Sequence, residues 1–168
     1  MRTAPLVVLA LCGACAPKME ASKEERRQTV ENLILRQSNG GRPAWTLKSR
    51  LAVLREDEKL AELTAPMMNF YRRGKVVSRV TALGGTVHTE THDVRLSSSV
   101  VLDSLDDKSH LTTEELLYSS AKGRFLTKAE VQITRPEGVL KGKGLEATPD
   151  LSEIRIFEQR SSLNGHSR

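Results

Sequence analysis

From residue 44 onward, apolar and polar positions alternate with a period of two. Trp45, Leu47, Leu51 and Val53 alternate with Thr46, Lys48 and Arg50, and less cleanly with Ala52 and Leu54. Side chains along a strand point to opposite faces in turn, so this pattern predicts a strand with one buried face. Residues 76–83 are rich in β-branched side chains and end at Gly84-Gly85. Val94, Leu96, Val100 and Leu102 alternate with Arg95, Ser97, Ser99, Val101 and Asp103. Phe125, Val131 and Ile133 mark another run over 124–134, and Ile154, Ile156 and Phe157 a closing one over 151–158. Between the runs lie turn signals: Asp57, Gly74, Gly84-Gly85, Asp106-Asp107, Lys122-Gly123, Pro136-Glu137-Gly138 and Pro149-Asp150. Short strands with regular turns predict an all-β meander, sandwich or open roll. Only residues 112–120 carry a rival helical reading, because Thr113-Glu114-Glu115-Leu116-Leu117 contains good helix formers.

The N-terminal part follows other rules. Arg2 precedes an uncharged stretch centred on Leu6-Val7-Val8-Leu9-Ala10-Leu11. As a helix this stretch would reach only roughly 22 Å, short of a ~30 Å hydrocarbon core. It predicts a signal segment over residues 1–14. Small residues lead into Cys15, as in a bacterial lipobox, so Cys15 is the predicted lipidation site; cleavage after Ala14 without lipidation is the alternative. Residues 18–36 are rich in charge, with nine charged side chains. Ser22 and Glu25 have capping-box spacing, and Val30, Leu33 and Ile34 form a patch at helical spacing. A tether over 15–43 follows, either a short helix or a disordered spacer. Residues 37–43 have loop chemistry.

Composition narrows the function. The formal net charge is +5, which suits anionic partners, but no Lys/Arg run is interleaved with aromatics, so a nucleic-acid partner is not expected. The two cysteines, Cys12 and Cys15, both fall in the leader, which excludes a disulfide framework for the domain. No catalytic set is present. The glycines over 138–144 lack the spacing and the Ser/Thr of a phosphate loop and read as a turn. His88, Glu90 and His92 would share one face of a strand, but with no evident fourth ligand the expectation is surface residues and no metal.

An ordered string of short motifs resembles the LptC family, the periplasmic subunit of lipopolysaccharide export. Trp45-x-Leu47-x-Ser49-x-x-Ala52 is similar to the family's opening strand. Leu63-Thr64-Ala65-Pro66, then Phe70-Tyr71 and Gly74-Lys75, resembles its second hairpin. Val80-x-Ala82 with Gly84, Val94-x-Leu96, Leu111-Thr112-Thr113-x-x-Leu116-x-Tyr118 and Leu140-x-Gly142-x-Gly144-Leu145-x-Ala147 complete the series. Two departures stand out. A lipoprotein-like leader replaces the family's transmembrane helix, and Ser97-Ser98-Ser99 replaces a segment with a glycine turn.

The resemblance implies an open antiparallel β-jellyroll over 44–158, followed by a polar tail over 159–168. It implies no enzyme activity and no cofactor. The implied role is to accept lipopolysaccharide from an inner-membrane ABC transporter with LptF/LptG-like subunits and to pass it to an LptA-like bridge protein. The protein would be periplasmic and anchored to the inner membrane. The implied acyl groove is the predicted inward face: Trp45, Leu47, Leu51, Val80, Ala82, Val94, Leu96, Val100, Leu102, Phe125, Val131 and Ile133. Leu151, Ile154 and Ile156 mark the closing partner edge, and 45–53 the opening one. Lys48, Arg50, Arg72, Arg73, Lys75 and Arg79 are candidates to neutralise lipid phosphates at a groove mouth. The competing reading is a structural or assembly lipoprotein of the envelope with the same face closed into a core.

Overall fold

In a computed structural model, which describes residues 27–159, the alternating segments pair in sequence order. Eleven strands form one antiparallel sheet: β1 (Arg27–Asn39), β2 (Arg42–Arg55), β3 (Leu60–Thr64), β4 (Met67–Arg72), β5 (Lys75–Thr81), β6 (Gly84–His88), β7 (Val94–Ser104), β8 (His110–Ser119), β9 (Arg124–Arg135), β10 (Gly138–Ala147) and β11 (Ile154–Gln159). The arrangement is the all-β jellyroll expected.

The topology is simpler than eleven strands suggest. β2 pairs β3 through Leu51↔Thr64 and, in the same register, β4 through Lys48↔Met67. β3 and β4 are therefore one strand interrupted at Ala65-Pro66. β5 and β6 are likewise one strand interrupted at Ala82-Leu83, pairing with that partner in one register from Leu60↔His88 to Phe70↔Ser78, with a shift only at Tyr71. The result is a meander of long strands joined by short turns.

Several long strands change conformation at the same level, so a crease runs across the sheet; β9 crosses it with its inward phase, Phe125, Thr127, Val131 and Ile133, unbroken. β7 bulges at Ser98-Ser99, whose φ values are 65° and 54°. β8 and β9 slip register between Thr113 and Leu117, and β10 does so at Gly144, whose φ is 74°. Inward-facing positions shift phase there too. On β2 they run Trp45, Leu47, Ser49 and then Ala52; on β8 they run Leu111, Thr113 and then Leu116, Tyr118. Buried hydroxyls satisfy backbone groups that the ladder drops at the crease. Ser49 Oγ donates to the carbonyls of Leu51 and Thr64 and accepts from the Thr64 amide, and Thr113 Oγ1 donates to the Glu130 carbonyl. Folding at the crease brings the two halves of the meander face to face as two layers, in the manner of sandwiches.

Two local expectations are corrected. Within the described residues the tether is not helical: β1 covers Arg27–Asn39 and pairs with β2 along most of its length, with left-handed backbone at Asn32 (φ 53°) and a register shift between Gln37 and Ser38. The β-domain thus begins ahead of residue 44. A charged segment with few apolar positions becomes a strand because an edge strand needs only one half-buried face, here Val30, Leu33 and Leu35. The helical reading of 112–120 also fails. β8 lies between two strands, where a period-two core face outweighs local propensity.

At the far edge β11 lies directly on Gly142, where an added Cβ would approach Ile156 Cγ2 to 2.3 Å and the Glu158 carbonyl to 2.6 Å. Gly142→Ala should therefore push β11 from the sheet and destabilise the domain by about 1–3 kcal/mol. Hydrogen exchange should show loss of protection confined to 154–159. Unchanged protection there would refute this account of the edge.

Candidate functional site

The inward face of the meander is continuous from β1 to β11. All the predicted groove residues but one are buried: Trp45, Leu47, Val80, Ala82, Val94, Leu96, Val100, Leu102, Phe125, Val131 and Ile133. Leu51 is the exception. The phase change at the crease turns it outward and half-exposes it, while Ala52 takes the inward place. Register then supplies partners that alternation alone did not single out. Met68 lies between Leu47 and Val80, Leu111 between Leu102 and Ile133, and Tyr118 between Val94 and Phe125. The motif strings contained Phe70, Tyr118 and Leu145, but only pairing shows that they line the same face.

Aromatic contacts join the two layers. Trp45 and Phe70 belong to the half of the meander on one side of the crease, Tyr118 and Phe125 to the other. Trp45 meets Tyr118 edge-on at 6.2 Å, and Phe70 meets Tyr118 at 4.9 Å and Phe125 at 5.3 Å. With so few aromatic residues in the chain, gathering four of them here concentrates the largest buried areas at the margin away from the crease.

A strap closes that margin. The β10–β11 connection, residues 148–153, leaves and returns to one layer at the paired Ala147 and Ile154 and reaches over to touch the other. Leu151 is fully buried, with φ 58°, and its carbonyl accepts from the Arg135 guanidinium at 3.0 Å. The Asp150 carbonyl accepts from Ser104 Oγ at 2.7 Å, and the Asp150 carboxylate pairs with Arg72 at 2.5 Å. Arg72 also pairs with Asp106, and Arg124 with Glu153. Burial acts to raise the Asp150 pKa, but hydrogen bonds from Ser152 and Thr148, with the Arg72 charge, leave it below its ordinary 3.8.

These facts sort the predicted edge residues. Leu151 does not belong to the closing strand; it precedes β11 and plugs the core. In the sequence it reads as the start of the closing strand, because the apolar run over 151–158 begins with it. Ile154 and Ile156 do lie on β11, half-buried on the inward face. The opening edge is β1 and not 45–53, because β2 is covered on both sides. β1 bonds only to β2 and β11 only to β10, so each leaves one flank without a strand partner among the described residues. Val30, Leu33 and Leu35 on β1 mirror the half-buried isoleucines of β11.

The remaining candidates separate cleanly. Arg79 donates to Asn69. Lys48, Arg50, Arg73 and Lys75 are exposed. His88, Glu90 and His92 do not share a strand face: β6 ends at His88, whose Nδ1 accepts from the amides of Glu90 and Thr91 in the following turn, and Glu90 pairs with Lys59. Among the described residues no group of three possible ligands is placed to hold a metal, and no helix is long and apolar enough to cross a membrane.

A family model described as "Lipopolysaccharide-assembly, LptC-related" matches residues 9–163. Among curated proteins no match reaches significance.

Leu151→Ala should cost about 2–5 kcal/mol in chemical denaturation, the range for emptying a core leucine site. Ile154→Ala, at a half-exposed edge position, should cost less than half as much. Equal losses would return Leu151 to the edge. The strap also sets an acid limit. The depressed Asp150 pKa contributes stability that is present above about pH 3.8 and is lost as pH falls through the folded-state value. Asp150→Asn should flatten the stability–pH curve in that acidic window and leave its slope unchanged near neutrality.

Proposed function

The chain belongs to the LptC-related family of lipopolysaccharide-assembly proteins, and from that membership we propose that it is a transfer subunit standing between two like-folded partners. The family supports a role in lipopolysaccharide transport in the periplasm of a Gram-negative envelope, and it is a transport family and not an enzyme family. The finer reading is that the chain accepts lipopolysaccharide from LptF/LptG-like subunits of an inner-membrane ABC transporter and passes it to an LptA-like protein. Cys15, which lies outside the described residues, would carry the lipid anchor.

The observation that carries this reading is the pair of strands unpartnered on one flank at opposite ends of one continuous apolar face. Unpaired strand edges are a hazard that soluble proteins normally blunt, and β1 is 13 residues long. A like-folded neighbour at each end would complete the backbone ladder by β-augmentation and extend the apolar face from one protein into the next. Each added main-chain hydrogen bond contributes about 0.5–1.5 kcal/mol net. Acyl chains would lie on the inward face, at about 0.8 kcal/mol per buried methylene. The layers would part at the aromatic and Leu151 margin, because the crease holds the opposite margin covalently through every strand. Full burial of the groove residues favours a second reading, a structural envelope lipoprotein with a permanently closed core.

Two measurements separate them. A photo-crosslinker at Val80, Leu96 or Val131 should trap lipopolysaccharide in cells, and one at Arg95, on the outer face, should trap several-fold less. Equal yields would favour the closed core, provided the variants melt like the parent. For the edges, Arg155→Pro should weaken capture of the LptA-like partner at least tenfold and spare the transporter, since proline removes a ladder donor. Release of the transporter instead would reverse the assignment of ends.

A further inference from the structure

The distribution of carboxylates carries an inference independent of the groove and of the partner edges. Residues 32–55 contain no Asp or Glu, and neither do residues 63–89. The fold places these two segments side by side, because β2 pairs with β4 and β4 with β5. These paired segments therefore bring cations and no carboxylates of their own to the surface.

Its outward positions follow from register. Trp45, Leu47 and Ser49 are buried, so Lys48 and Arg50 point away from the core, and both are exposed. Ile34 lies opposite Lys48, and Arg36 opposite Thr46, on the same outer face. Arg42 begins β2, while Arg73 and Lys75 form the β4–β5 turn. The register that sets Trp45 opposite Phe70 puts all three at one margin. Arg36, Arg42, Lys48, Arg50, Arg73 and Lys75 are all exposed and have no carboxylate partner among the described residues. Arg72 is different, since Asp106 and Asp150 neutralise it.

Two large aliphatic side chains stand exposed on this face. Ile34 is 48 % exposed beside Lys48. Leu83, 66 % exposed, lies two residues beyond Thr81, whose partner Met67 adjoins Lys48. Cations surrounding isolated aliphatics suit one kind of surface: anionic headgroups with hydrocarbon just beneath. The thickness of the sheet separates these cations from the inward face, so they do not serve a ligand held between the layers.

We propose that the outer face of β1, β2, β4 and β5 docks on the anionic surface of a lipid bilayer, with Arg36, Lys48 and Arg50 at the headgroups and Ile34 and Leu83 entering the interface. This contact lays β1 along the membrane and leaves the β8–β11 side turned away from it.

The test is co-sedimentation of the full chain carrying Cys15→Ser, so that no acyl anchor contributes. One set of vesicles contains phosphatidylglycerol and phosphatidylethanolamine, the other phosphatidylcholine alone. Any binding through the apolar leader would be common to both, so the difference between them reports charge. Each basic residue close to an anionic surface multiplies partitioning about fivefold. The joint variant Arg36→Gln, Lys48→Gln, Arg50→Gln should lose at least tenfold of its binding to the anionic vesicles and none of its binding to the neutral ones. Raising the salt to about 0.5 M should reproduce the loss in the parent chain. Ile34→Ser with Leu83→Ser should weaken anionic binding several-fold. These positions are exposed, and an unchanged melting temperature would confirm that folding is intact. Undiminished anionic binding by the charge variant would overturn the proposal. So would unchanged vesicle binding accompanied by loss of lipopolysaccharide crosslinking at Val80 or Leu96, since the cations would then serve the substrate. Failure of crosslinking in the parent chain with vesicle binding preserved would remove the transfer reading and leave the docking face standing.

Discussion

The fold depends on one constraint: a meander of long strands must bend at a single level in every strand. A strand of more than ten residues cannot follow a sharp fold while keeping its ladder intact. The strands that give way do so in the manner their residues allow. Ala65 and Pro66 interrupt one, Ser98 and Ser99 bulge another through left-handed backbone, and Gly144 absorbs the bend in β10. The hydroxyls of Ser49 and Thr113 then take up backbone groups that the ladder releases. Without the crease the inward face would be a flat apolar sheet; with it, two halves of that sheet bury each other.

From that fold follows the closed margin. The layers cannot separate at the crease, where each strand is continuous. They meet at the other margin through Trp45, Phe70, Tyr118 and Phe125, with Leu151 filling the space that the strap spans. The polar ties of the strap, Arg72 with Asp150 and Arg135 with the Leu151 carbonyl, are partly exposed and individually weak. The apolar packing of Leu151 is the stronger element. A molecule that must admit acyl chains would open here, at a margin held by side chains and not by backbone.

The open ends and the cationic face give the molecule a direction. β1 and β11 leave backbone unpaired at opposite ends, and the acid-free segments lie on β2, β4 and β5, away from β11. Carboxylates stand near the β7–β8 turn and the strap, and also in the β2–β3 hairpin, where Arg55 pairs with Glu58 and Glu62. Under the proposed function, a transfer subunit that received its cargo at a membrane and released it away from one would have use for such an asymmetry.

The sequence by itself determined the class of fold. Alternation with period two around Trp45, Val94 and Leu102 implies a one-faced strand wherever it occurs, since side-chain direction along a strand is local geometry. It also determined the inward identity of Val80, Leu96, Phe125, Val131 and Ile133, which lie in segments of unbroken phase. Tertiary structure decided what local rules cannot reach. Leu51 and Ala52 exchanged places because the crease shifts phase within one strand. Residues 27–39 became a strand because β2 offered an open flank, although their own pattern read as a short helix or a disordered spacer running into a loop. Leu151 became a core residue through a connection whose neighbours are polar. The cationic face emerged only when pairing set two acid-free segments side by side. In each case the deciding contact lies far along the chain, and its energy exceeds the few tenths of a kcal/mol, on the order of local propensity, that separate one backbone conformation from another.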